Sequence, residues 1–193
     1  MKLVCLGDSL TFGYGVPRSD TWVSLLDEAL DLPVVNAGVT GDTTGGMLAR
    51  FQHSVVGQGA SHVFLMGGAN DILLSGETAG AKANLGAMVY RSLAEGIVPI
   101  LGLPIPAHPS AARTQWGRVF DFSQAGPKME ELCGWISRFA DGFGIAVVDF
   151  RPIFGTPPQG EYYLDGLHVT PRGHRRMAEQ FLARGLFPEK ASF

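Results

Sequence analysis

Four short polar clusters hold the side chains of this sequence that could do chemistry. They are Gly7-Asp8-Ser9-Leu10-Thr11-Phe12-Gly13, Asn36-Ala37-Gly38-Val39-Thr40-Gly41-Asp42-Thr43, Gly67-Gly68-Ala69-Asn70-Asp71 and Asp165-Gly166-Leu167-His168. Taken singly, each has a plain explanation: a capping serine, a helix N-terminus, an Asx turn, a surface loop. Taken together they supply every part that acyl transfer through a serine needs: a nucleophile, a base, a group that orients the base, and donors for an oxyanion. Ser9 offers the hydroxyl. His168 is a base, and Asp165, three residues earlier, can hold its tautomer. Gly41 offers a backbone N–H unobstructed by a side chain, and Asn70 offers an amide N–H.

These clusters need a scaffold that brings them together, and the apolar pattern supplies one. Apolar runs at Lys2–Leu6, Pro33–Ala37, His62–Met66, Val98–Leu103 and Ala146–Asp149 show no in/out alternation, as expected of parallel strands covered on both faces. Between them lie helical stretches at Asp20–Leu30, Thr44–Gln58, Thr78–Gly96 and Lys128–Phe143, with a last helix from Pro171 to Phe187. Thr170 caps that last helix and Pro171 takes its first position. Alternation of this kind predicts one three-layer α/β/α domain, residues 1–193, around a doubly wound parallel sheet. Three of the four clusters directly follow the first three strands, at the carboxyl ends where open parallel sheets bind ligands. One long irregular stretch, Pro104 to Gly126, interrupts the pattern, and a loop of that length in a compact domain is usually functional.

Composition removes other classes. The 193 residues carry 15 Lys+Arg against 18 Asp+Glu, a net charge of −3, which gives no basic surface for nucleic acid. No uncharged apolar run reaches the ~20 residues of a membrane span. The apolar start Met1–Leu6 stops at Gly7-Asp8, too short for a signal peptide, so a cytoplasmic setting is expected. Cys5 and Cys133 are too few for a disulfide framework and read as buried thiols. The 26 glycines fit a chain with many tight loops.

Gly7-Asp8-Ser9-Leu10 with Thr11-x-Gly13 resembles the first block of the GDSL, or SGNH, hydrolases. Gly41 falls at the family's second-block glycine, Gly68-Ala69-Asn70-Asp71 is similar to its G-x-N-D block, and Asp165-x-x-His168 to its last. The resemblance spans residues 7 to 168 and implies a flavodoxin-like five-stranded sheet ordered 2-1-3-4-5. It also implies esterase chemistry with Ser9 as nucleophile, His168 as base and Asp165 as its partner. Ser9 N–H, Gly41 N–H and the Asn70 side chain would form the oxyanion hole, with no metal and no cofactor. The family accepts carboxyl esters, thioesters, lysophospholipids and acetylated sugars, so a small-molecule ester is the expected partner. The G-x-S-x-T context of Ser9 differs from the G-x-S-x-G elbow of α/β-hydrolases.

Two rival readings use the same residues. A metal-dependent hydrolase would ligate through Asp165, His168 and His174, but His53, His62 and His108 are scattered and no H-E-x-x-H pairing occurs. His174, inside the last helix, is expected at the surface. A phosphate- or flavin-binding module on the same sheet would leave Asn70 and the Asp165/His168 pair without a task. Trp116, Phe120 and Phe122 on the long loop, with Ile153, Phe154, Tyr162 and Tyr163, are candidates for an apolar substrate wall. Of these, Trp116, Phe120, Ile153 and Tyr162 are the favoured substrate contacts.

Overall fold

The first strand, β1 (Leu3–Gly7), is buried along its whole length, because it is an inner strand of a sheet with helices on both faces. It pairs in parallel with β2 (Val34–Gly38) on one side and β3 (His62–Met66) on the other. Beyond β3 come β4 (Val98–Leu103) and β5 (Ala146–Asp149), giving the order β2-β1-β3-β4-β5 with every pairing parallel. This is the flavodoxin-like order that the family resemblance implied, and the structure, a computed structural model, describes residues 1–155 and 160–190. Three strands lie where the apolar runs put them, and β1 and β2 each begin and end one residue later.

Successive side chains on each strand point to opposite faces, and two separate cores result. Leu3 and Cys5 of β1 and Phe64 and Met66 of β3 pack with Trp22, Leu26, Phe150 and Phe181 on one face. Val4, Leu6, Val63 and Leu65 pack with Met47, Leu85, Leu132 and Ile136 on the other. The first core is covered by α2 (Trp22–Ala29) and α8 (Pro171–Leu182), the second by α3 (Thr44–Ser54), α5 (Ala79–Ala94) and α6 (Ala125–Phe143). Three shorter helices, α1 (Ser9–Phe12), α4 (Ala69–Ser75) and α7 (Arg151–Phe154), were not visible as helices in the sequence. Four to seven residues are too few to show a 3.6-residue repeat. Helix α6 starts three residues before the expected Lys128, and α8 ends at Leu182 rather than Phe187. Both cysteines are free and buried, and burial alone lifts the Cys5 thiol.

The crossover from β1 is closely packed. A Cβ on Gly38 would lie 2.1 Å from Phe12 N, so only glycine lets α1 rest on β2. Asn36 fixes the contact: its Nδ2 donates to Thr11 O at 2.8 Å, and its Oδ1 accepts from Gly38 N at 3.0 Å. Asp8 caps α1 by accepting from Leu10 N at 3.0 Å. At the other end of the chain, Thr170 caps α8 as the sequence indicated, accepting from Gly173 N at 3.3 Å.

His174 corrects the sequence reading. It is 1% exposed, not a surface residue, and its Nδ1 accepts from Trp22 N at 3.3 Å, tying α8 to α2. Its Nε2 is buried with no partner among the described residues. Burial pushes this imidazole down to about 4, against the pull of Asp20. Asp8 shifts the opposite way: burial lifts its carboxyl to about 6, opposed by the Leu10 N–H and assisted by Asp42 and Asp71. As pH falls from 6.5 to about 4, the unfolded chain protonates His174 and the folded chain does not, so His174 withdraws stability. Over the fall from about 6 to 3.8 the folded chain protonates Asp8 first, so Asp8 adds stability and the two effects oppose. His174→Gln removes only the first. On going from neutral pH to about 4, the variant should gain on the wild type by up to about 3 kcal/mol, read from urea unfolding. A difference that stays constant with pH contradicts this assignment.

Candidate active site

Residues from four chain segments meet beyond the carboxyl ends of β1, β2 and β3. Ser9 opens α1 directly after β1, where the abrupt change from strand to helix leaves its side chain half-buried at the cleft. Its Oγ lies 3.1 Å from His168 Nε2, and His168 Nδ1 lies 2.8 Å from Asp165 Oδ2. An ionised Asp165 can only accept, so Nδ1 carries a proton, and in the neutral imidazole Nε2 then faces the serine with a lone pair. Asp165 and His168 share one loop that folds back on itself: Asp165 Oδ1 accepts from Leu167 N at 3.0 Å and from His168 N at 2.8 Å. Burial pushes the Asp165 carboxyl up, but the donors from His168, Trp116 and Leu167 outweigh it and hold it below the usual carboxylate range. The Tyr14 ring covers the imidazole, with centroids 4.2 Å apart.

Side chains from the next two loops are tied to the first. Asn70, in the first turn of α4, donates one Nδ2–H to Asp42 O at 2.8 Å, leaving its second N–H. Gly41 has φ +77, a left-handed turn, and its backbone N–H donates to no described residue. The Asp8 cap takes up Leu10 N–H and not Ser9 N–H. Ser9, Gly41 and Asn70 all line the same cleft as His168. Arg50 straps the first two loops, with its Nε on Asp42 Oδ2 at 2.7 Å and its Nη2 donating to Gly7 O at 3.0 Å. Asp71 joins the third loop to the second, accepting from Thr44 N at 2.9 Å and Thr44 Oγ1 at 2.6 Å. Neither strap was singled out from the sequence. Asp71 stood inside a recognised block, but nothing in the spacing pairs it with Thr44.

The cleft has a volume of about 1090 Å³. One wall comes from the stretch between β4 and α6, which folds into two short 3-10 turns, Pro109–Arg113 and Gln115–Arg118. Trp116, Phe120 and Phe122 of this stretch line the cleft, together with Ile72, Ile105 and Met129. Ile153 and Tyr162 do not. Tyr162 is buried in the first core with its ring 5.8 Å from Phe154, and Ile153 packs against the same core. Phe154 is likewise buried there, and Tyr163 uses its hydroxyl to donate to Pro106 O at 2.6 Å. These side chains pack at the core and do not line the cleft. Trp116 has a contact that sequence reasoning missed: its Nε1 donates to Asp165 Oδ2 at 2.8 Å.

The metal reading has no support in this geometry. His174 is held by Trp22 in the core, and no group of three or more His, Cys, Asp or Glu among the described residues could hold a metal ion. No helix among them is long and apolar enough to cross a membrane.

Comparison with known proteins gives a consistent result. The GDSL-like Lipase/Acylhydrolase family profile matches residues 5–176. Esterase TesA of Pseudomonas aeruginosa is 29% identical over 184 residues, covering 92% of this chain and 84% of the relative. An arylesterase of Vibrio mimicus is 39% identical over 93 residues, 46% of each chain. Among solved structures, a lipolytic G-D-S-L protein of Veillonella parvula superposes with TM-score 0.81 at 26% identity, covering 95% of this chain and 97% of that one. The lipase/acylhydrolase of Enterococcus faecalis does so with TM-score 0.79 at 26% identity, covering 99% of each. With the family's blocks in order along the chain and its fold beneath them, the chain belongs to the GDSL-like lipase/acylhydrolase family and is an enzyme of its esterase/lipase type.

Proposed function

We propose that this protein hydrolyses carboxylic esters through an acyl-enzyme on Ser9, with residues 1–193 acting as a single hydrolase domain. The observation that carries the proposal is the unbroken hydrogen-bonded line from Asp165 through His168 to Ser9. As Ser9 Oγ bonds to the ester carbonyl carbon, its proton passes to His168 Nε2, and Asp165 stabilises the imidazolium. The carbonyl π pair moves onto oxygen, where Ser9 N–H, Gly41 N–H and the free Asn70 N–H receive the charge. Collapse of the tetrahedral species breaks the bond to the leaving alkoxide, which takes the proton from Nε2. Water then repeats both steps on the acyl-enzyme, releasing the acid and restoring Ser9.

Ile72, Ile105, Phe120, Phe122 and Met129 make the cleft wall largely apolar, which suits an acyl or aryl group. The curated relatives carry the names esterase and arylesterase, and the carboxylic ester is the substrate class taken over from them. The choice among simple esters, thioesters, lysophospholipids and acetylated sugars is made by a chain-length and leaving-group profile.

Two substitutions test the assignment. Asn70→Ala should lower kcat by about 10²–10³-fold with little change in KM, since the donor acts on charge that develops only in the transition state. A variant that loses stability but keeps normal turnover would make Asn70 purely structural. Asp165→Asn should cut kcat by about 10⁴-fold, because the asparagine amide favours the wrong imidazole tautomer. Wild-type turnover in that variant removes the pair from the mechanism.

A further inference from the structure

Trp116 stands in the cleft wall, yet its polar atom points away from the substrate space and into the acid–base pair. Its Nε1–H donates at 2.8 Å to Asp165 Oδ2, the oxygen that also accepts His168 Nδ1–H at 2.8 Å. Its ring lies edge-on to the imidazole, 5.4 Å between centroids, and stacks on Phe120 at 6.3 Å. The segment that carries it is docked on the Asp165–His168 loop at further points. His108 N–H donates to Gly166 O at 2.8 Å. A Cβ on Gly166 would lie 2.5 Å from Ala111 N, an approach that glycine alone permits, and φ there is +87. The wall of the cleft and the loop of the base are one packed unit.

Oδ1 of Asp165 is held within its own loop, whereas Oδ2 meets both His168 of that loop and Trp116 of the wall. Oδ1 takes two backbone N–H groups from its own loop. Both oxygens turn together about the terminal bond, a soft torsion, so an anchor on Oδ2 restrains the whole carboxylate beyond what the two bonds to Oδ1 do. The indole N–H, arriving from a segment 49 residues away, fixes where Oδ2 sits.

We propose that Trp116 is a positioning residue for Asp165: its indole N–H holds Oδ2 opposite His168 Nδ1 and thereby couples the substrate wall to the base. The inference rests on the acyl-enzyme on Ser9 and goes beyond it by giving a wall residue a part in turnover. A ring that only lines the cleft acts on substrate binding. A ring that sets the carboxylate acts on the chemical step even for a substrate too small to fill the wall.

The test therefore uses p-nitrophenyl acetate, with Trp116→Phe and with β-(3-benzothienyl)alanine at position 116, which keeps the bicyclic ring and replaces only the N–H. Both should lose roughly ten-fold in kcat, the worth of one hydrogen bond to a charged group, with KM within about two-fold. The downfield proton resonance of the Asp165–His168 bond should shift in both. 7-Azatryptophan, which retains the N–H, should restore turnover. Wild-type kcat and an unmoved resonance in the benzothienyl variant, with a raised KM in Trp116→Phe, would make the residue a wall and nothing more. Ser9→Ala, assayed alongside, separates the two levels. An inactive Ser9→Ala with a fully active benzothienyl variant overturns the role of Trp116 alone. Activity surviving in Ser9→Ala overturns the acyl-enzyme and this role with it.

Discussion

The contact between Ser9 Oγ and His168 Nε2 joins residues 159 positions apart, and the other features of the site depend on keeping that distance at 3.1 Å. A serine hydroxyl is a weak nucleophile unless a base takes its proton in the same step, and a proton moves only between atoms in hydrogen-bond reach. The parallel sheet meets the first requirement of placement, since all five strands deliver their following loops to the same edge. The second requirement is local rigidity. Gly38 lets α1 lie directly on β2, Arg50 and Asp71 lash the three loops together, and the Asp165 carboxylate is gripped from both sides.

The electrostatics follow from the same geometry. Asp165 has four N–H donors and stays ionised, which is what an imidazolium partner requires. Asp8, next to Ser9, is 3% exposed and its carboxylate accepts the backbone N–H of Leu10, and burial lifts its carboxyl to about 6. The two carboxylates thus shift in opposite directions, because one is surrounded by donors while the other is buried near the carboxylates of Asp42 and Asp71.

How much of this the sequence disclosed depended on how local each signal was. The five strands were legible because double coverage makes a parallel strand apolar throughout, and three of them have the bounds read from the sequence. Ser9, Asn70, Asp165 and His168 were legible because each stands in a short block with fixed neighbours. Long-range polar pairing was not legible: nothing near Trp116 announces a bond to Asp165, and nothing near Thr44 announces Asp71. Aromatic residues were the weakest ground. Phe120 and Phe122 face the cleft, while Tyr162 and Ile153 serve the core, and the two environments ask for the same side chains. His174 misled for a related reason. On a helix rich in arginine it reads as solvated, yet it falls on the one face that packs against Trp22.

The central claim is that Ser9 is an activated nucleophile and that the Asp165–His168 pair activates it. The most direct measurement is the site and rate of covalent modification by a fluorophosphonate, followed by mass spectrometry of the digested protein. One adduct per chain, located on Ser9, is the predicted result, formed far more slowly in His168→Ala. An adduct on another residue, no adduct at all, or an equal rate in His168→Ala would contradict the account.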